Sequence, residues 1–339
     1  MKAFWITIVS LIFLTCTKEI LDTEAELNLQ KKDEFTASGG IFFPEMGVMF
    51  DRGRHPNSAI NNKNRIVTIH NSSPANNMYY RAGTVNGNQI DFHHTQQKYL
   101  DGINGSIDLN DNNLVVEAHE YIERLYNQVG ILNDDNSINW LWSGKYESYA
   151  QNPSISVNND GWVVEAHESR NPFSSQNVFY RLGKIENNQI NYFFSKRIED
   201  YISKPRISIY NDNVVLVYTQ SNYEITVQTG TLDRNVRDIN WKSKITIENA
   251  LNGDIQAIGD DKFMLIFKEF GVPNGYAIRY AQISGNTFWW ISSGRVAQRI
   301  LYGSDTPSIT GNIQFPVAIA YAENNGGDLV YYVGSYSSD

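Results

Sequence analysis

Three observations predict an all-β fold, a six-bladed β-propeller with four antiparallel strands per blade. The string VVEAHE is written twice, at 115–120 and 163–168. Around it, short apolar segments separated by Asn/Asp/Gly turns recur with a period of about fifty residues, the length of a propeller blade. The strand count then falls one short at the C-terminal end and runs one over at the N-terminal end. Composition agrees: of 339 residues, 41% are hydrophobic, enough to bury a core, and only 19% are charged. The net charge of -9 comes with no basic stripe, which argues against nucleic acid as a partner.

The chain opens with Met1-Lys2, an apolar run from Ala3 to Leu14, and then Thr15-Cys16. One positive charge before about a dozen apolar residues is the pattern of a secretory signal and is shorter than a membrane span. Cys16 is the only cysteine. FLTC (13–16) resembles a loose lipobox of bacterial lipoproteins, which implies residues 1–16 as signal peptide and lipidation of Cys16. Simple secretion and an uncleaved anchor are the alternatives. The expected location is the cell envelope, periplasmic or outer surface, or outside the cell, with the membrane reached only through that anchor. Residues 17–38 are charged and lack strand alternation, so they read as a tether, with room for a short helix over 22–32. Residues 39–339 are the propeller. With one cysteine there is no disulfide within the chain, so packing must hold the fold.

Each repeat opens with a short strand, at 57–61, 105–110, 153–158, 205–210, 253–258 and 307–312. Asn, Asp and Gly follow, residues that tolerate the left-handed backbone of tight hairpins. The second strand carries the repeated string: IVTIHNS (66–72), LVVEAHEY (114–121), WVVEAHES (162–169), VVLVYTQS (214–221), FMLIFKE (263–269) and VAIAYAE (317–323). One slot in it therefore runs His70, His119, His167, Tyr218, Phe267, Tyr321. The third strand ends on Gly83, Gly130, Gly183, Gly230 and Gly334, and the fourth carries Phe92, Trp140, Tyr192, Trp241 and Trp290. Aromatic columns of this kind pack between blades. The last repeat lacks a fourth strand, and Ile41–Phe43 fits that column at the other end of the chain. The N-terminal strand is expected to complete the last blade and close the ring, which removes the sheet edges.

A Glu and a His two apart on a strand share a face. Glu117/His119 and Glu165/His167 occupy equivalent places in successive blades. Packed sheets stand about 10 Å apart, whereas zinc-type ligands converge within about 2 Å of one point. The two histidines therefore do not share a metal, and no metal or other cofactor is expected. Two readings stay open: a polar seam between blades, or the floor of a repeated pocket that takes a ligand. Arg81 and Arg181 are placed to partner the glutamates. The candidate ligand-binding set is Glu117, His119, Glu165, His167, His70, Arg81 and Arg181.

Other chemistry is thin. Asp108 and Asp254, on inner strands three blades apart, form a weak acid pair for glycoside hydrolysis. The nearest approach to a sialidase Asp-box, SVNNDGW (156–162), lies in the wrong turn. No GxSxG elbow or glycine-rich phosphate loop occurs. His93-His94 reads as a surface pair, and the Asp/Asn turns match no calcium loop.

Residues 39–339 resemble six-bladed propellers of secreted and surface bacterial proteins, some of them lectin-like. The resemblance rests on VVEAHES, YRLG and NNQI followed by an aromatic, and is clearest over 57–203. It implies a binding scaffold with repeated sites and brings no catalytic residue. The expected function is a surface-tethered, monomeric binding protein that takes glycans through pockets between blades. A protein–protein scaffold of the envelope is the alternative, and a hydrolase using Asp108 and Asp254 the second.

Overall fold

A computed structural model describes residues 41–43, 47–72, 76–170, 177–200, 202–220, 223–270, 276–284, 287–296, 307–312, 314–322 and 328–336. Cys16, the tether and its possible helix lie outside these. The described strands form six antiparallel blades around a channel, and the chain is a six-bladed β-propeller. Blade three shows the plan: Ala150–Val157 lines the channel, Trp162–Ser169 and Asn177–Glu186 follow, and Gln189–Asp200 lies outermost. The repeated strings pair as read, with His119 opposite Tyr126 and His167 opposite Phe179.

The N-terminal strand closes the ring in two pieces. Ile41–Phe42 pairs with Tyr336 and Ser335, and one further step in that register sets Phe43 against Gly334. Phe92, Trp140, Tyr192 and Trp241 stand against Gly83, Gly130, Gly183 and Gly230 in the same way. The strand then resumes as Val48–Arg52, which forms the outer ladder of blade six with Asp328–Val333. The expected closing strand, Ile41–Phe43, is thus only the first part of the real one. Blade one is built alike, its outer strand split into Gln89–Phe92 and Gln97–Asp101.

Each of six apolar clusters joins two neighbouring blades, and each takes one ring of the fourth-strand column: Phe92, Trp140, Tyr192, Trp241, Trp290 and Phe43. The glycines opposite these rings answer a close backbone approach. A Cβ on Gly83 would stand 2.4 Å from the Asp91 carbonyl oxygen, and one on Gly183 would stand 3.0 Å from that of Asn191.

Candidate functional site

Both Glu-x-His pairs fold onto themselves. His119 Nδ1 lies 3.0 Å from Glu117 Oε2, and His167 Nδ1 lies 3.0 Å from Glu165 Oε2. Both carboxylates are fully buried. Each accepts a tyrosine hydroxyl from the outer strand of the preceding blade, Tyr99 on Glu117 (3.3 Å) and Tyr146 on Glu165 (2.8 Å). Burial, and then the neighbouring carboxylate, holds both phenols well above the usual tyrosine range, so they remain donors. The carboxylate faces Nδ1, so the tautomer with its proton on Nδ1 is the one that bonds it, and in that neutral ring Nε2 is the acceptor. Across the hairpin, His119 stacks on Tyr126 and His167 on Phe179, with planes within 11° and 13°.

The structure brings Arg181 to the same seam, where it reaches Glu147 and stands 3.9 Å from Glu165. Gln128 fills the arginine slot in blade two and donates to Glu117 (3.4 Å). Arg81 lies elsewhere, donating to the carbonyls of Phe50 and His94 with its guanidinium 4.4 Å over Phe92. Both arginines tie their blade to the strand before it. His93 and His94 are exposed, and His94 Nε2 meets the Asp135 carbonyl at 2.6 Å.

His70 takes its carboxylate from the closing strand, because blade one has Thr68 where blades two and three have glutamate. Asp51 Oδ2 stands 3.8 Å from its Nε2, and Gln96 Oε1 stands 3.2 Å from it. Burial lowers the His70 pKa below the ordinary 6.5; Asp51 and Gln96 oppose the shift and Arg81 adds to it. The unfolded chain therefore takes the proton first, and this group's stabilising share is full above about pH 6.5 and shrinks as pH falls through the lower folded value. His70→Phe, which copies the residue of blade five, should flatten the fall in melting temperature between neutral pH and pH 5; an unchanged slope would assign that fall to other groups.

The last letter of the repeated string acts in the opposite direction, a role absent from the sequence reading although the repeat contained it. Glu120 accepts from Asn104 Nδ2 (3.2 Å), Arg170 Nη1 (2.9 Å) and the Asn152 backbone. Glu168 accepts from Gln151 (2.8 Å), the Asn152 side chain (3.0 Å) and the Lys204 backbone. Asn104, Asn152 and Lys204 sit at bulges of the inner strands with φ of 54°, 51° and 51°. So Glu117 and Glu165 reach back one blade, while Glu120 and Glu168, on the other face of the strand, hold the left-handed bulge of the blade ahead.

The inner carboxylates serve the ring. One edge of each inner strand faces the channel, and side-chain oxygens of the preceding blade take its N–H groups. Asn57 accepts from Ile107, Ser106 from Ile155, Ser154 from Ile207, Asp254 from Ile309 and Ser308 from Ser58. A second belt runs two residues on: Asp108 accepts from Val157, Ser156 from Ile209, Ser208 from Ala257 and Thr310 from Ile60. Ala59 and Arg206 occupy belt positions but cannot accept. In the blade after each stands an aspartate. Asp108 bonds the Leu109 N–H as well as Val157, and Asp254 bonds Ile255 as well as Ile309. Burial raises the Asp108 pKa from its ordinary value and that of Asp254 to about 6, the latter opposed by Arg206.

At the end where inner strands turn into second strands, a vestibule is ringed by asparagines. Asn61, Asn110, Asn158 and Asn312 each cap their own turn through Oδ1. Through Nδ2 they donate around the ring, Asn312 to Asn61, Asn61 to Asn110, Asn110 to Asn158 and Asn158 to Asn211.

The opposite end differs. Nε2 of His119 and Nε2 of His167 make no hydrogen bond among the described residues, and the two side chains lie at its edge, 5% and 2% exposed. Around them Tyr121 touches Tyr126 edge-on, and Ile122 and Tyr149 are 70% and 66% exposed. Both hold left-handed backbone, φ 49° and 57°, a strained state for bulky side chains. Packing alone does not require the polar seam. Blades four and five fill the glutamate slot with Leu216 and Leu265, and Ile198 and Ile247 stand where Tyr146 stands.

No family model and no curated protein matches the sequence. Solved structures do match in fold. A protein of unknown function from Dyadobacter fermentans aligns over 88% of this chain and 99% of its own, with TM-score 0.56 and 8% identity. The lectin of Aleuria aurantia, in complex with Fucalpha1-6GlcNAc, aligns over 86% of this chain and 97% of its own, with TM-score 0.59 and 6% identity. Trypanosoma rangeli sialidase aligns over 87% of this chain but 59% of its own, with TM-score 0.53 and 10% identity. At such identities the likeness establishes the six-bladed propeller, shared by a lectin and an enzyme.

Proposed function

We propose that the chain is a carbohydrate-binding propeller, tethered to the cell surface through Cys16, whose ligand docks at the mouths of the seams of blades two and three. The observation that carries this reading is the pair of glutamate-held imidazoles, each with an Nε2 that makes no hydrogen bond among the described residues, in a fold whose blades four and five fill the glutamate slot with leucine. The Nε2 lone pair accepts a sugar hydroxyl, and the exposed rings of Tyr121 and Tyr149 offer faces to sugar C–H surfaces. Asp108 and Asp254 are engaged with backbone, which favours binding over hydrolysis. The lectin among the structural neighbours agrees with this at the level of fold. Glycan-array screening followed by calorimetry tests it. The combined His119→Phe and His167→Phe variant, folded by circular dichroism, should lose at least about tenfold in affinity, roughly 1.4 kcal/mol. Binding at wild-type strength, or no glycan bound by the wild type, overturns the reading.

A further inference from the structure

We infer that the ligand is an extended glycan chain, held at a second contact at the junction of blades four and five; the inference rests on the reading above. Tyr223 and Phe270 stack there with ring centroids 4.4 Å apart and planes 28° apart, and each is about half exposed, 50% and 53%. Tyr223 lies in the turn between second and third strands of blade four, and Phe270 at the end of the second strand of blade five. Strands alternate in direction, so all such turns, and the links from fourth strand to next blade, emerge on one end of the ring. His119, His167, Tyr121 and Tyr149 are on that same end.

The two junctions are built alike. At blades two and three, Tyr149 N–H bonds the Glu123 carbonyl (2.8 Å) and Arg170 N–H bonds that of Tyr149 (2.6 Å). At blades four and five, Ala250 N–H bonds the Tyr223 carbonyl (2.8 Å) and Phe270 N–H bonds that of Asn249 (2.6 Å). Tyr223 is left-handed, φ 60°, as Tyr149 is. Asparagine takes this backbone readily, as Asn249 does beside it at φ 56°. Tyr223 thus takes the place of Glu123 and Asn249 that of Tyr149, and each junction keeps one exposed aromatic ring on left-handed backbone, which marks both as contact surfaces. Adjacent sheets stand about 10 Å apart, so junctions two blades apart are separated by on the order of 20 Å, more than one sugar spans. A chain seated at the dyads therefore reaches the stacked pair only if it is several units long. The pair adds ring faces for stacking and, by tethering, an effective concentration that raises affinity about a hundredfold or more.

Calorimetry of the full chain with chito-, manno- and gluco-oligosaccharides of increasing length tests this. In the series that binds, affinity should climb at least tenfold from the shortest binder to the longest. Tyr223→Asn, whose side chain suits the left-handed backbone, and Phe270→Ser should each abolish the climb and leave the shortest binder unaffected. The His119→Phe and His167→Phe variant should lose both. Length-independent affinity, or a climb that survives Tyr223→Asn and Phe270→Ser, overturns the extended-chain inference and leaves the carbohydrate reading standing. A wild type that binds none of these series while a glycan binds on the array overturns the extended-chain inference alone; a wild type that binds no glycan on the array, or a Tyr223–Phe270 face that captures a protein alone, overturns both.

Discussion

Asp108→Ser should destabilise the propeller by about 1–3 kcal/mol, the cost of one buried N–H left without an acceptor. A serine at 108 can still serve Val157, as Ser156 serves Ile209, but it cannot also serve Leu109. Leu109 needs that service because the preceding blade offers Ala59, which cannot accept, where blades two, three, four and six hold Asp108, Ser156, Ser208 and Thr310. Adding Ala59→Ser should restore most of the loss, while Ala59→Ser in the wild type changes little. Urea unfolding of the four proteins reads the coupling as a shift in midpoint at constant m-value. If Ala59→Ser has the same effect in both backgrounds, the belt does not work as a chain of replaceable acceptors, and Asp108 is free for another role.

The same belt shows where sequence reading stops. Blade number, hairpins and the ring slot from His70 to Tyr321 were legible because turn residues and second strands repeat locally. The closing of the ring was legible from a strand count, but Val48–Arg52 was not, since the residues between Phe43 and Gly47 interrupt the repeat. Asp108 and Asp254 looked like chemistry because their explanation, Ala59 and Arg206, lies one blade back, 49 and 48 positions away. A hydrogen bond between blades leaves no local pattern. Glu120 and Glu168 were in plain sight, yet only the bulges of Asn104, Asn152 and Lys204 give them a role. Tyr149, Tyr223 and Phe270 lie in loops, where letters have no period and exposure is a property of the folded ring.

The internal repeat also separates what the seam needs from what the site needs. Glu165→Ala should cost about 3–5 kcal/mol, because it strands buried partners, His167 Nδ1, the Tyr146 hydroxyl and Arg181, without their carboxylate. Yet the next blade closes the equivalent seam with Ile198 against Leu216, Tyr218 in the histidine slot and Gln228 opposite Leu216. Transplanting those letters, as Tyr146→Ile, Glu165→Leu, His167→Tyr and Arg181→Gln together, removes the polar groups as a set. Replacing a buried ionic cluster by packed apolar residues is often neutral or stabilising, so the fourfold variant should unfold within about 1 kcal/mol of the wild type. It should lose the glycan contact at blade three all the same. A fourfold variant as unstable as Glu165→Ala would make the dyad a requirement of packing. A stable variant that has lost binding shows that blades two and three keep Glu117/His119 and Glu165/His167 for the molecule that docks on them, in positions where the fold itself accepts leucine and tyrosine.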